Sequence, residues 1–413
     1  MAQADGFLVS QAPLFFGWKV AWAAFIVAAF SWGVGFYGPA VFLQALHAAH
    51  GWPIWIVSTA ITVHFLLSAV VIAYLPQLHR RLGIATVTKA GAALSAIGIV
   101  AWANAQAPWQ LFPAAGLTGV GWAVTSGAAI NAMVARWFNR ERPKALSLAF
   151  NGASIGGVVF APLWTTLIAR FGFSHAASII AVTMLIVTWP LASRFLRPGP
   201  DALGLSPDGE VPVSGPRPAA APTLTRGRLL RDGRFVTISV AFALALFAQI
   251  GLFAHLIARL APDFGATGAA VAVSLTTACA VAGRTLLGWF LGDHDRRKVA
   301  AVNFALQAAG VTLLCLGSGF VAPLAGCVLF GLGVGNLISL PPLIAQREFE
   351  PADVGTVVVL ITALNQAVFA FAPAIFGVLK EMTDGYAVPF AIAACLQILA
   401  AIAIMSCRRP SVP

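Results

Sequence analysis

The sequence predicts an all-α membrane protein of twelve transmembrane helices in two six-helix bundles, and three observations carry that prediction. Of the 413 residues, 59% are hydrophobic and only 9% are charged, whereas a water-facing surface needs roughly 25% charged residues. The apolar residues gather into runs of 20 or more, long enough to cross a hydrocarbon core as helices. One long polar connection, residues 197–234, divides these runs six and six. A cytosolic enzyme is thereby excluded.

The first run spans 17–45. No basic leader or small-residue cleavage site precedes it, and it is too long for a signal peptide, so it is expected to stay as an anchor. The second (53–78) and third (83–104) are separated by His79, Arg80 and Arg81. The fourth (108–135) stops at Arg136, and the fifth (145–169) starts after the charged stretch Arg140 to Lys144. The sixth (174–196) leads into the Pro- and Gly-rich connection, whose acids are Asp201, Asp208, Glu210 and Asp232. The second half supplies runs at 235–261, 267–292, 297–319, 321–346, 355–380 and 385–407. Each is expected to be helical, because lipid offers backbone N–H and C=O groups no partner outside the segment. The domain reading is an N-terminal bundle (1–196), a cytoplasmic linker (197–234) and a C-terminal bundle (235–413).

Charge sets the orientation. The excess of 25 Lys and Arg over 14 Asp and Glu gives +11, which in a soluble chain would point to nucleic acid; basic loops on a membrane protein have the simpler cause that they resist translocation. With the N-terminus inside, 21 of the 25 basic residues fall on the cytoplasmic side; only Arg170, Arg259 and Lys380 fall outside, and Arg284 lies within a span. Both termini are expected in the cytoplasm and the protein in the inner (plasma) membrane. The five cysteines sit in apolar runs without a CxxC pairing and read as small packing residues.

A shift of 211 residues superposes Arg136 on Arg347, Phe138 on Phe349, and Phe160-Ala161-Pro162 on Phe371-Ala372-Pro373. The fourth and fifth spans thus recur as the tenth and eleventh, a duplication that implies a cleft between the halves. No G-x-x-x-x-G-K-[ST] occurs, so no P-loop is present to hold a nucleotide phosphate, and a primary pump is not expected. The Gly331-Leu332-Gly333-Val334-Gly335 run and the Gly152/Gly156 pair lie inside spans and read as close helix packing.

Two loops carry a family resemblance. Gly288-Trp289-Phe290-Leu291-Gly292-Asp293-His294-Asp295-Arg296-Arg297-Lys298 joins the eighth and ninth spans, and Leu78-His79-Arg80-Arg81-Leu82-Gly83 joins the second and third. Both resemble the signature G-x-x-x-D-R-x-G-R-R of the major facilitator superfamily, the first-half copy lacking the acid. The resemblance implies the major facilitator fold and a helix-end charge clamp formed by Asp293, Arg296 and Arg297, with Arg81 and Gly83 as the first-half counterpart. Three further passages resemble the monocarboxylate and oxalate/formate branch: Ser31 to Pro39 in the first span, Trp137 to Ala145 before the fifth, and Ala282-Gly283-Arg284 in the eighth. Gly-Pro followed by paired glycines, the drug-antiporter pattern, is not met by Asn151 to Gly157.

Arg284 is the most informative residue. A guanidinium at the bilayer centre costs at least ~3 kcal/mol, so it needs water, a counter-charge or a ligand. No Asp or Glu lies in any of the twelve spans, and a planar fork without an internal carboxylate invites an external one. The resemblance agrees, implying that an arginine here holds an anionic substrate. The other physical reading is snorkelling toward the cytoplasmic loop, about 12 Å away at 1.5 Å per residue. His255, one turn before Arg259 in the seventh span, and His64 in the second can bind substrate, carry a proton, or simply pack. Tyr37, Asn151, Asn365 and Gln366 are further candidates to line the cleft, as are Asn131 and Asn336, although amides at that depth commonly bond another helix. His47 and His50 read as an interfacial pair rather than a metal site.

The expectation is a secondary transporter that moves a small organic anion, a monocarboxylate, by alternating access. One buried cation rather than two favours monoanions. The alternative is an exporter of hydrophobic or drug-like compounds, supported by 29 Phe and 12 Trp. A membrane-embedded enzyme would need a nucleophile or metal cluster with a base in reach, and none is written into the spans. The expected partners are the anion, protons and the bilayer, with no nucleic acid, no cofactor and a monomeric chain.

Overall fold

The structure, a computed structural model, describes residues 15–209, 224–317 and 319–406. Glu210, Arg217, Cys407, Arg408 and Arg409 lie outside the described residues. Helices are the only regular elements among the described residues, and several crossings are broken in mid-membrane. The first is α1 (Phe16–Gly35) and α2 (Gly38–His50). They part at Phe36 and Tyr37, whose N–H groups both donate to the Trp32 carbonyl at 3.1 and 2.9 Å. The second is α3 (Ile54–Ala73) and α4 (Leu75–Leu82), bent by 60°. Pro76 stands in the first turn of α4, where a missing N–H costs nothing. The third is α5 (Ile84–Ala103), and the fourth is α6 (Leu111–Ala123) with α7 (Gly127–Ala135).

Next comes α8 (Arg142–Leu191), whose 50 residues would extend about 75 Å as one rod, more than twice the hydrocarbon thickness. Gly172, at φ 77°, interrupts it. The arm beyond runs antiparallel to α5: Ser174 Oγ donates to Asn104 Oδ1 (2.7 Å) at one end, and Lys89 Nζ to Ser193 Oγ (3.3 Å) at the other. After the short α9 (Arg226–Leu229), α10 (Gly233–Phe290) is likewise two arms divided at Gly265, φ 68°. Only glycine enters this backbone region without steric cost, which is why both reversals fall on it. The remaining helices are α11 (Arg296–Leu316), α12 (Val321–Val334) with α13 (Asn336–Glu348), α14 (Pro351–Phe369) with α15 (Ala372–Met382), and α16 (Ala387–Met405). Ten segments are long and apolar enough to cross by themselves, and the bent α3–α4 pair makes eleven. One of the ten, Arg142–Leu196, holds two crossings around Gly172, which brings the number to the expected twelve.

Apolar cores form mostly within one half of the chain. Phe42, Trp102 and Trp164 centre one in the first half, and Phe330 and Phe376 centre another in the second. Small residues set the closest approaches. A Cβ on Gly152 would stand 3.0 Å from the Phe25 Cα of α1, and one on Gly283 would stand 2.9 Å from the Leu332 Cα of α12.

The halves meet from one end to mid-depth. At the end bearing the basic loops, Gln346 Nε2 donates to the Asn139 carbonyl (3.0 Å) and Ser147 Oγ to the Arg284 carbonyl (2.9 Å). The last joins are Gln366 Nε2 to the Phe65 carbonyl (3.1 Å) and the Phe65–Phe369 ring contact. Among the described residues no hydrogen bond or ring contact joins the halves beyond that level, so the molecule is closed at the basic end.

Candidate functional site

Between the halves, level with the α1–α2 and α6–α7 breaks, lies a cavity of about 130 Å³. Trp32, Phe36, Trp122, Phe253 and Phe369 give it aromatic walls. Its polar lining is sparse: Tyr37, Ser126, Ser154, Gln249, Arg284, Thr362, Asn365 and Gln366. A concave, mostly apolar site with a few convergent polar groups is the usual form of a small-molecule site.

Arg284 stands in the second arm of α10 and is 2% exposed. Its guanidinium does not run toward the loop. Nε donates to the Gly335 carbonyl (2.9 Å), and Nη1 donates across to the first half, to the Phe150 carbonyl (2.7 Å), Asn151 Oδ1 (3.1 Å) and Ser154 Oγ (3.1 Å). Among the described residues no carboxylate pairs with it, and Nη2 has no acceptor. Nε and Nη1 are thus spent on holding the guanidinium in place, and the side chain lines the cavity with Nη2 unbonded.

Tyr37 reaches the cavity from the α1–α2 break. Asn365, 2% exposed on α14, carries an Oδ1 with no hydrogen-bond donor. Gln366, by contrast, is spent as a bridge between halves: its Oε1 accepts from Trp122 Nε1 (3.2 Å), and its Nε2 donates to Ser68 Oγ as well as to the Phe65 carbonyl. Asn151 is a bridge too, accepting from Arg284 and donating to Thr285 Oγ1 (2.9 Å), and it does not line the cavity.

Both histidines stand off the cavity wall. His255 bonds within the second half, Nε2 to the Pro373 carbonyl (3.0 Å) and Nδ1 to the Tyr386 hydroxyl (3.5 Å). In the neutral ring this assigns the proton to Nε2. His64, 1% exposed, bonds through Nδ1 to Thr118 Oγ1 (2.9 Å), leaving Nε2 without a partner that meets hydrogen-bond geometry. Asn336 makes the interhelical bond expected of a buried amide, to Asn303 Oδ1 at 2.8 Å, and His47 caps the Trp52 carbonyl at 2.8 Å.

The sequence reading did not single out Gln249 or Ser126. Gln249 is 4% exposed, and both Gln249 Oε1 and Ser126 Oγ line the cavity without partners. An amide in the otherwise apolar seventh run was the available signal for Gln249. For Ser126 there was none, because its role depends on the α6–α7 break.

The polar contacts of the signature loop lie inside the second half, while its Leu291 packs into the first-half core. Asp295 caps α11, accepting from the N–H groups of Arg297 (2.9 Å) and Lys298 (3.2 Å). Arg297 grips Glu348 with both faces, at 2.5 and 2.8 Å, while Arg296 donates to the Leu343 carbonyl (3.1 Å) and exposed Asp293 pairs with Arg347. Arg234 binds Asp232 in the same manner and holds its carboxyl below the ordinary carboxylate range. In the first half Gly83, at φ 77°, ends α4, and exposed Arg81 makes no ion pair among the described residues.

Known proteins agree with this architecture. The human organic anion transporter MFSD10 superposes with a TM-score of 0.71 at 14% identity, over 96% of this chain and 100% of that one. FucP in its outward conformation gives 0.70 at 13% identity, over 94% and 98%. Among sequences, monocarboxylate transporter 13 of Bos taurus is 31% identical over 291 residues, which is 69% of this chain and 63% of that protein. The Rattus norvegicus protein of the same name is 25% identical over 389 residues, covering 91% and 85%. Monocarboxylate transporter 11 of Mus musculus is 28% identical over 393 residues, covering 91% and 83%. The family profile described as Major Facilitator Superfamily matches residues 90–373. With that match over most of its length and the fold to go with it, the chain belongs to the Major Facilitator Superfamily.

Proposed function

We propose that the protein is a secondary transporter that carries a small organic anion, a monocarboxylate, by alternating access, with Arg284 as its anchor. The observation behind this reading is the half-spent guanidinium: a cation fixed by four protein acceptors, with Nη2 unbonded, lining a cavity that holds no carboxylate among the described residues. Burying such a charge is costly unless a partner arrives, and an anionic substrate is that partner. Size supports a small one. On the scale at which a cavity of ~150 Å³ takes one benzene, about 130 Å³ takes roughly six non-hydrogen atoms. The unpartnered oxygens of Asn365 and Gln249 favour a substrate that also carries a hydrogen-bond donor. The names of the relatives, monocarboxylate and organic anion transporters, point the same way.

Transport then consists of the two halves, 1–196 and 235–413, rocking about the site, with the 197–234 linker, the basic loops and both termini on the cytoplasmic side of the inner membrane. The closed basic end corresponds to the state loaded from outside. Arg284 bonds both halves, so an arriving anion competes directly with the contacts that hold this state. The working unit is a monomer, and His255 or His64 carries any coupled proton. The aromatic walls are the one observation that favours export of hydrophobic compounds instead. Uptake of labelled mono- and dicarboxylates and of lipophilic cations into proteoliposomes, with and without a pH gradient, separates the two. Monocarboxylate uptake that disappears in Arg284→Ala is the expected result, and transport of lipophilic cations by that variant would overturn the reading.

A further inference from the structure

A second cavity lies at the basic end, bounded by α4, α7 and the start of α8 on one side and by α13 and α14 on the other, with a volume of about 580 Å³. Its charged lining is of one sign: Arg80, Arg136 and Arg142, with His79 beside them and no Asp or Glu. Arg80 and Arg136 are exposed, but Arg142 is only 6% exposed. Its Nε is sealed from solvent without a partner, and among the described residues no hydrogen bond or ion pair reaches any of its nitrogens.

The charges that act on Arg142 do not neutralise it. Asp208 is the acid whose field reaches it, yet both Asp208 oxygens are taken by backbone N–H groups of Asn139 (3.0 Å), Arg140 (2.8 Å) and Glu141 (3.2 Å). Arg296 adds a second positive charge from the other half. Arg142 also opens α8, at the positive end of the helix dipole. Three more buried polar atoms in this lining lack partners: His79 Nε2, Asn131 Oδ1 and Gln346 Oε1. A desolvated cation and unmet acceptors in one cavity call for a ligand that is anionic and also donates.

We propose that this cavity is a binding site for a phosphate group, anchored by Arg142 with Arg136 and Arg80 at its mouth, and separate from the Arg284 site. A singly protonated phosphate has oxygens for the guanidinium and an O–H for Asn131 or Gln346; a phospholipid headgroup with free hydroxyls offers the same chemistry. Because Gln346, Pro351 and Val354 belong to the second half, an occupant spans the interface and favours the state closed at the basic end.

The test uses purified full-length protein carrying Arg284→Gln, so that the central cavity cannot supply the response. Thermal unfolding is followed in detergent with inorganic phosphate, or with added phosphatidylglycerol against phosphatidylcholine, at matched ionic strength. Tm is expected to rise with at least one probe and the rise to vanish when Arg142→Gln is added. A shift with inorganic phosphate identifies a free-anion site, and a shift with phosphatidylglycerol alone identifies a lipid site. Failure of both probes to raise Tm, or a rise that survives Arg142→Gln, overturns the proposal. Should Arg142→Gln not fold, Arg80→Gln with Arg136→Gln is expected to weaken the apparent affinity severalfold, and an unchanged affinity counts against the site equally.

Discussion

Replacing Arg284 with lysine keeps the positive charge and removes the fork. In the wild type, the nitrogens divide the labour: Nε on the Gly335 carbonyl, Nη1 on the Phe150 carbonyl, Asn151 and Ser154, and Nη2 left unbonded for a ligand. A lysine ammonium has three donors on one atom, so it cannot reach Gly335, Phe150 and the cavity together. Whichever way it turns, a charge-assisted hydrogen bond is lost, either to substrate or to an acceptor that positions the cation. At about 1.5–3 kcal/mol for such a bond, the apparent affinity for the anion falls roughly 10- to 150-fold. Concentration-dependent uptake in proteoliposomes measures this directly, with circular dichroism as the control for folding. A lysine variant whose KM and maximal rate match the wild type would show that the fork does not read the substrate.

Other residues give independent checks. Asn365→Leu removes an unpartnered buried oxygen, so Tm should hold while KM rises roughly two- to twelvefold, the value of one neutral hydrogen bond; an unchanged KM would place the substrate elsewhere in the cavity. If His255 carries the proton, His255→Gln should flatten the pH dependence of net uptake while leaving anion-for-anion exchange intact. Transfer of that loss to His64→Gln would move the proton to α3, and unaffected pH dependence in the double variant would eliminate both rings. Gly283→Ala places a Cβ 2.9 Å from the Leu332 Cα, and overpacking of backbone on backbone should destabilise by about 1–3 kcal/mol, visible as a lower Tm.

Much of the architecture was readable along the chain because membrane helices answer to a local rule. Every backbone group must be satisfied within its own segment, so length and hydropathy alone locate the crossings. The long connection and the 211-residue repeat argue for dividing them six and six, while breaks within crossings, such as the 60° bend at Tyr74, went unread. Arg284 was legible for a similar reason, since the cost of a charge in lipid is a property of the residue and its depth rather than of its neighbours.

What the sequence could not decide is which face of each helix meets the other half. Gln366 and Asn365 are adjacent in sequence and both buried, yet one is spent on Trp122, Phe65 and Ser68 while the other keeps an oxygen without a partner. Asn151 appeared to be a cavity residue and is instead a tether for Arg284, whereas Gln249 was overlooked and lines the wall. Arg142 looked like one more basic loop residue until its burial without a partner became visible. Polar groups satisfy one another across tens or hundreds of residues, and those distances are fixed only when twelve helices have packed. Sequence thus determined where the chain crosses and where a charge is expensive, while tertiary structure alone decided which of those polar groups remain unsatisfied and so are available to a ligand.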